Sequence, residues 1–221
     1  VNAPRSRRER PAKPALTRAG IVATAVGLMK AEGLDRVTMR RLATELDTGA
    51  ASLYVYVRNT AELHAAVLDE LLGTVNLRPG KGEWQDRLVE VLTSYTKVLF
   101  DHPGLAQSAL VARPSGPHYL NLVEAVLALL SEGGIPPGQA AWGIDLLLQT
   151  ATATAAEHQA GDSPADWDLV EAAVRNASPK THPHIAALGS DLLSGSGPQR
   201  LAWGFRVLIN GTRSTPREPS E

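Results

Sequence analysis

Residues Val37 to Val57, VTMRRLATELDTGAASLYVYV, constrain this chain more than any other stretch. Met39, Leu42, Ala43 and Leu46 recur at the spacing of one helix face, and Thr38 stands before them as an N-cap. Asp47-Thr48-Gly49 breaks the pattern, and the sequence predicts that Gly49 supplies the backbone freedom for a sharp turn. Ala50, Leu53 and Val57 then resume helical spacing. Two short helices joined by a tight turn form a helix-turn-helix, whose second helix lies in the DNA major groove. Its outward side chains should be small or hydrogen-bonding, as Ser52, Tyr54 and Tyr56 are. The alternative is a helical hairpin inside an ordinary bundle, where two tyrosines on so short a helix would each need a buried partner for the hydroxyl.

Charge separates the chain into unlike parts. Residues 1–60 carry eleven Lys or Arg against five Asp or Glu, while the remaining residues carry eleven against eighteen, so the near-neutral total hides a basic end and an acidic body. Such asymmetry is the electrostatic footprint expected where one end faces phosphate and the other must not. Residues 1–15, with Arg5, Arg7, Arg8, Arg10 and Lys13 among prolines, read as a flexible basic arm, either a solvated tail or a phosphate-neutralising extension.

From Thr17, another N-cap, Ile21, Ala25, Leu28 and Met29 form a helix face that Gly33 ends. Asn59 with Glu62 three residues on starts a fourth helix through Leu63, Val67 and Leu71. The expected organisation is the arm, a DNA-binding domain over 16–75, a helical body over 76–211 and a tail over 212–221. Past Asn76 to Gly82 the pattern is helical throughout, with helices expected at Trp84–Asp101, Leu105–Ala112, Pro117–Glu132, Pro137–Ala160, Ala165–Asn176, His184–Leu193 and Pro198–Asn210. The fold class is all-α.

Catalytic signatures are missing: there is no G-x-S-x-G, Walker loop, G-x-G-x-x-G or H-E-x-x-H, and Gly80 to Gly82 lacks Walker spacing. His182 and His184 flank a proline in a loop, a poor metal pair, and Glu157 and His158 point in different directions as helix neighbours. No enzyme activity, metal or cofactor is expected. The lack of cysteine agrees with a reducing compartment, and no apolar run reaches membrane-spanning length, so the expected location is the cytoplasm.

The run T-M-R-R-L-A-x-E-L, then T-G-A-A-S-L-Y-V-Y-V, then N-T-A-E-L, resembles the DNA-binding domain of the TetR (tetracycline repressor) family of bacterial transcription regulators, over about Leu16 to Leu72. The resemblance implies a homodimer on a palindromic operator, released by a small apolar or amphipathic effector enclosed in the C-terminal domain. It implies DNA contacts from Arg40, Thr48, Ser52, Tyr54 and Tyr56, with Arg58 able to replace the phosphate-gripping lysine that many members have at Thr60; Thr38 and Gly49 of the motif, and Arg5, Arg7 and Arg8 of the basic arm, complete the candidate DNA contacts. Asn76 stands about where the tetracycline repressor has its drug-binding histidine, so magnesium-tetracycline is not an expected ligand.

The small-residue run Gln149 to Ala156 could serve close packing or leave room for an effector, with Thr150, Ala153 and Thr154 as candidate contacts and Trp84 and Leu110 beside them. Two helices, at Pro137 and at Pro198, are apolar nearly all round and so should be covered on both sides. Trp142, Leu146, Leu201, Phe205 and Leu208 are the candidate dimer contacts, as in the family's four-helix dimer bundle. Two rival functions stand beside the regulator: a helical small-molecule-binding or modifying protein with an incidental basic end, and a DNA-architectural dimer without effector.

Overall fold

A computed structural model of the chain describes residues 15–102, 104–111, 114–159 and 164–217. The arm residues Arg5, Arg7 and Arg8 lie outside them. Every regular element among the described residues is a helix.

Four helices make the head: α1 (Arg18–Glu32), α2 (Met39–Glu45), α3 (Ala50–Leu53) and α4 (Thr60–Leu72). Three of the four starts are capped as the sequence predicts. The Thr17 and Thr38 hydroxyls accept from Gly20 N–H (3.1 Å) and Arg41 N–H (3.2 Å), and Asn59 Oδ1 accepts from Glu62 N–H (2.8 Å). Ile21, Ala25, Val37, Leu42, Leu53, Val57, Leu63 and Val67 are buried together. His64 Nε2 lies 3.0 Å from the Val37 carbonyl, which can only accept, so the proton sits on Nε2.

The turn between α2 and α3 departs from expectation. Gly49 has φ −80°, open to any residue, and serves as the N-cap of α3. Asp47 takes the left-handed conformation instead, at φ 46°. Asp and Asn tolerate that region better than other L residues do, which is why glycine is dispensable there.

The body comprises α5 (Trp84–Phe100), α6 (Leu105–Val111), α7 (Pro117–Glu132), α8 (Pro137–Gln159), α9 (Pro164–Arg175), α10 (Pro183–Leu188) and α11 (Gly197–Ser214). Helix α8 is the centre: α5, α6, α7 and α11 all pack on it, and α4 reaches the body through α6 and α7. At the α8–α11 crossing a Cβ on Gly143 would collide with Thr212, so the two backbones approach as only glycine allows. The Gln139 amide holds the far end of α11 by donating to the Thr212 and Thr215 carbonyls, both at 2.8 Å.

Helices α9 and α10, with the 3-10 turn Gly189–Leu193, pack chiefly on one another. No residue from 167 to 204 is buried, yet Trp167, Leu169, Val170, Leu188 and Leu192 are large and apolar. Helices α9 and α10 thus form an arm that packs mainly on itself and leaves these apolar side chains on the surface.

Candidate nucleic-acid interface and ligand cleft

Leu53 and Val57 anchor α3 in the head core at 0% and 1% exposure, which turns its other face outward. That face presents Ala51, Ser52, Tyr54 and Val55, with Val55 80% and Tyr54 52% exposed. A hydroxyl, a phenol and a branched methyl pair can meet base edges and thymine methyl groups in a major groove. The structure adds Ala51 and Val55 to the exposed residues of this face; the signal was their place next to Ser52 and Tyr54 in the sequence. Tyr56 is half-buried against the core, so its phenol has less freedom to reach DNA than Tyr54. Thr48 is half-buried, and its N–H donates to the Ala43 carbonyl at 2.9 Å.

The cations around this face divide by pairing. Arg41 is held by Glu32 (2.6 Å) and Glu45 (2.9 Å), which keeps Glu32 below the usual carboxylate range and locks the guanidinium in its charged form. Arg40, its neighbour, is exposed. The Arg58 side chain is 88% exposed with Nε 3.0 Å from Glu62, and hydrogen bonds from the Arg58 backbone and side chain lower the Glu62 pKa. Arg18 adds a longer contact to the same carboxylate at 3.7 Å.

The body contains an open cleft of ≈ 880 Å³ between α5, α8 and α11, with Trp167 of the arm at its wall. Its lining is mainly apolar and includes Thr93, Thr96, Thr150 and Thr154 beside Phe100, Leu201 and Gly204, with Lys97, Glu157 and Arg200 as its charged members. His158 meets the Phe100 ring edge-on with centroids 5.1 Å apart. The volume is that of a site for a drug-sized molecule, and the lining suits a mostly apolar molecule with a few hydrogen-bonding groups. A second cavity of ≈ 90 Å³ lies on the opposite face of α5 and α8, bounded by Tyr95, Leu110, Tyr119, Asp145 and Thr152 among others.

Of the residues singled out from the sequence, Thr150 and Thr154 line the cleft and four others lie elsewhere than expected. Ala153 is exposed on α8 and does not line the cleft, whose face on this helix runs through Thr150, Thr154, Glu157 and His158. Trp84 packs at the start of α5 against Gly133, where a Cβ would meet the indole. Leu110 edges the small cavity rather than the cleft. Phe205, expected at a dimer contact, is 0% exposed within a single subunit and belongs to its own core. Leu201 lines the cleft and Leu208 packs partly on that core, whereas Trp142 and Leu146 are 59% and 50% exposed. With Trp203 and Val207 of α11, at 69% and 46%, they make the outward apolar face of the body. Among the described residues no three His, Asp or Glu side chains gather as a metal site, and no helix is long and apolar enough to cross a membrane.

Two family models match the chain: "Bacterial regulatory proteins, tetR family" over residues 21–67 and "Tetracyclin repressor-like, C-terminal domain" over residues 78–215. The crystal structure of the putative transcription regulator SCO7704 from Streptomyces coelicolor is 59% identical, with a TM-score of 0.81, covering 95% of this chain and 100% of that one. ActR of Streptomyces coelicolor, solved in complex with actinorhodin, is 34% identical with a TM-score of 0.77, over 90% and 96% of the two chains. The transcriptional repressor DrrR1 of Streptomyces coeruleorubidus is 30% identical, over 89% of this chain and 80% of its own length. A transcriptional regulator of Saccharopolyspora erythraea is 35% identical over 55% of this chain and only 52% of its own length.

Proposed function

The chain belongs to the tetR family of bacterial regulatory proteins, and from that premise we propose that it is a repressor, released from a palindromic operator when a mostly apolar small molecule fills the cleft between α5, α8 and α11. The observation that carries the DNA half is the outward face of α3, held rigid by Leu53 and Val57 beneath it. The effector half is supported by the size and lining of the cleft and by the actinorhodin complex of ActR. The working unit is a homodimer whose subunits meet through Trp142, Leu146, Trp203 and Val207, so that two α3 helices enter successive major grooves roughly 34 Å apart. It acts in the cytoplasm, on DNA, and is not an enzyme.

The test starts from duplexes selected out of a randomised pool by the intact protein. Tyr54→Ala and Val55→Ala should weaken the selected duplex about tenfold or more, the loss of roughly one base contact, and leave random DNA nearly unchanged. Actinorhodin, as first probe, should lower the affinity for the selected duplex, and Thr154→Trp should abolish that response while leaving DNA binding intact. Equal loss on both DNAs for the α3 variants would remove base reading from this face. Unaltered release in the Thr154→Trp variant would move the effector elsewhere.

A further inference from the structure

The head meets the body at one buried charge. Asp69, on the inner face of α4, is 8% exposed. Its carboxylate accepts the Tyr119 N–H at 2.9 Å and faces the His118 N–H at 3.5 Å, the second and third amides of α7. The N-cap of α7 is Gly116, which has no side chain to offer those amides. Asp69 thus does from another helix what an N-cap residue does within its own, and the positive end of α7 favours its charge. A Cβ on Gly116 would fall inside the Asp69 carboxylate, and one on Gly73 would lie 2.9 Å from the His118 ring. Both glycines let the end of α4 and the start of α7 close on each other. Tyr119, which donates the shorter bond, also lines the small cavity beside Tyr95 and Thr152.

We propose that Asp69 is the positioning residue that fixes the DNA-reading head at one angle to the body, and so sets the single half-site spacing the dimer reads; this rests on the dimeric regulator proposed above. Two aimed amide bonds define a direction, which apolar contacts along α4 do not. Loss of the carboxylate leaves Leu63, Val67, Leu68 and Leu71 to hold α4 in place with freedom to rock.

The chain has no cysteine, so Thr44→Cys on α2 and Glu124→Cys on α7, both exposed, create a unique pair of spin-label sites. Doubly labelled subunits diluted into unlabelled protein report the head-to-body distance within one subunit, whatever the oligomeric state. With Asp69 intact the distribution should be narrow. Asp69→Ala should broaden it, Asp69→Asn, which keeps an acceptor oxygen without the charge, should fall between, and Gly116→Ala should broaden it by displacing an unaltered Asp69. Duplexes with the half-sites moved apart by one and two base pairs supply the functional readout. The native side chain should discriminate against them at least tenfold, and Asp69→Ala should reduce that discrimination to threefold or less with dimerisation and helix content kept. An Asp69→Ala or Gly116→Ala distribution as narrow as the parent's, or unchanged spacing discrimination, overturns the assignment. A parent protein that reads a lone half-site as well as a pair would instead overturn the dimeric reading.

Discussion

Asp47 shows how much one residue can hide. Gly49 is the obvious breaker in the sequence, yet the left-handed position falls two residues earlier on an aspartate, and the glycine only opens α3 in an extended conformation. A motif reading finds the turn and not its hinge, because Asp and Gly both end helices and only coordinates say which one bends. The pair Tyr95 and Thr152 is hidden in the same way: 57 positions apart, they meet at 2.7 Å in the core. Thr152 spends its one hydroxyl proton on the Leu148 carbonyl at 2.8 Å, so the phenol donates to Thr152. Burial raises the Tyr95 pKa to about 12, which fixes the sign of an alkaline effect. Its stabilisation is complete below the unfolded value near 10 and is lost as pH rises toward about 12. Tyr95→Phe should cost about 1 kcal/mol at neutral pH, the worth of one hydrogen bond. The variant should also lose less stability than the parent between pH 9 and pH 11, read by denaturant midpoint. Equal alkaline losses would put the titration elsewhere.

At the scale of elements, boundaries were the legible part. Proline and glycine punctuation places α7 at Pro117–Glu132, as predicted, and α5 and α8 each within a residue of their ends. The inward face of α11 was not read from the sequence. Its six large apolar residues, Leu201, Trp203, Phe205, Val207, Leu208 and Ile209, drew the eye from a polar row, Arg206, Asn210 and Arg213 at helical spacing, on whose side Trp203 falls. Packing decides it: Phe205 and Ile209 go to the core, while Trp203 and Val207 stay outside. A charge should therefore have opposite consequences at neighbouring positions. Trp203→Glu and Leu146→Glu should give folded monomers by light scattering with helix content unchanged, since a charge on an exposed face costs little until a partner tries to cover it. Phe205→Glu should instead lose several kcal/mol of stability, because it buries an unpaired carboxylate within one subunit. A stable, dimeric Trp203→Glu protein would place the interface away from α8 and α11.

Across the whole molecule, the head could be read from one consecutive stretch, Leu16 to Leu72, because its parts are local. The cleft could not, since its walls come from residues 93 to 204 on four helices and exist only once those helices pack. The α9–α10 arm is the extreme case: its helices were expected from the sequence, yet Trp167, Leu169 and Val170 stay 53%, 69% and 47% exposed in the single subunit. Segments with few buried contacts open at small free-energy cost and are the first to be cut. Limited proteolysis should accordingly start between residues 167 and 193, and its rate should fall as protein concentration rises and subunits pair. A cleavage rate independent of concentration would mean that pairing leaves the arm bare. Where pairing covers this segment, the unpaired subunit is the more readily cut form, and the cleavage rate becomes a readout of assembly.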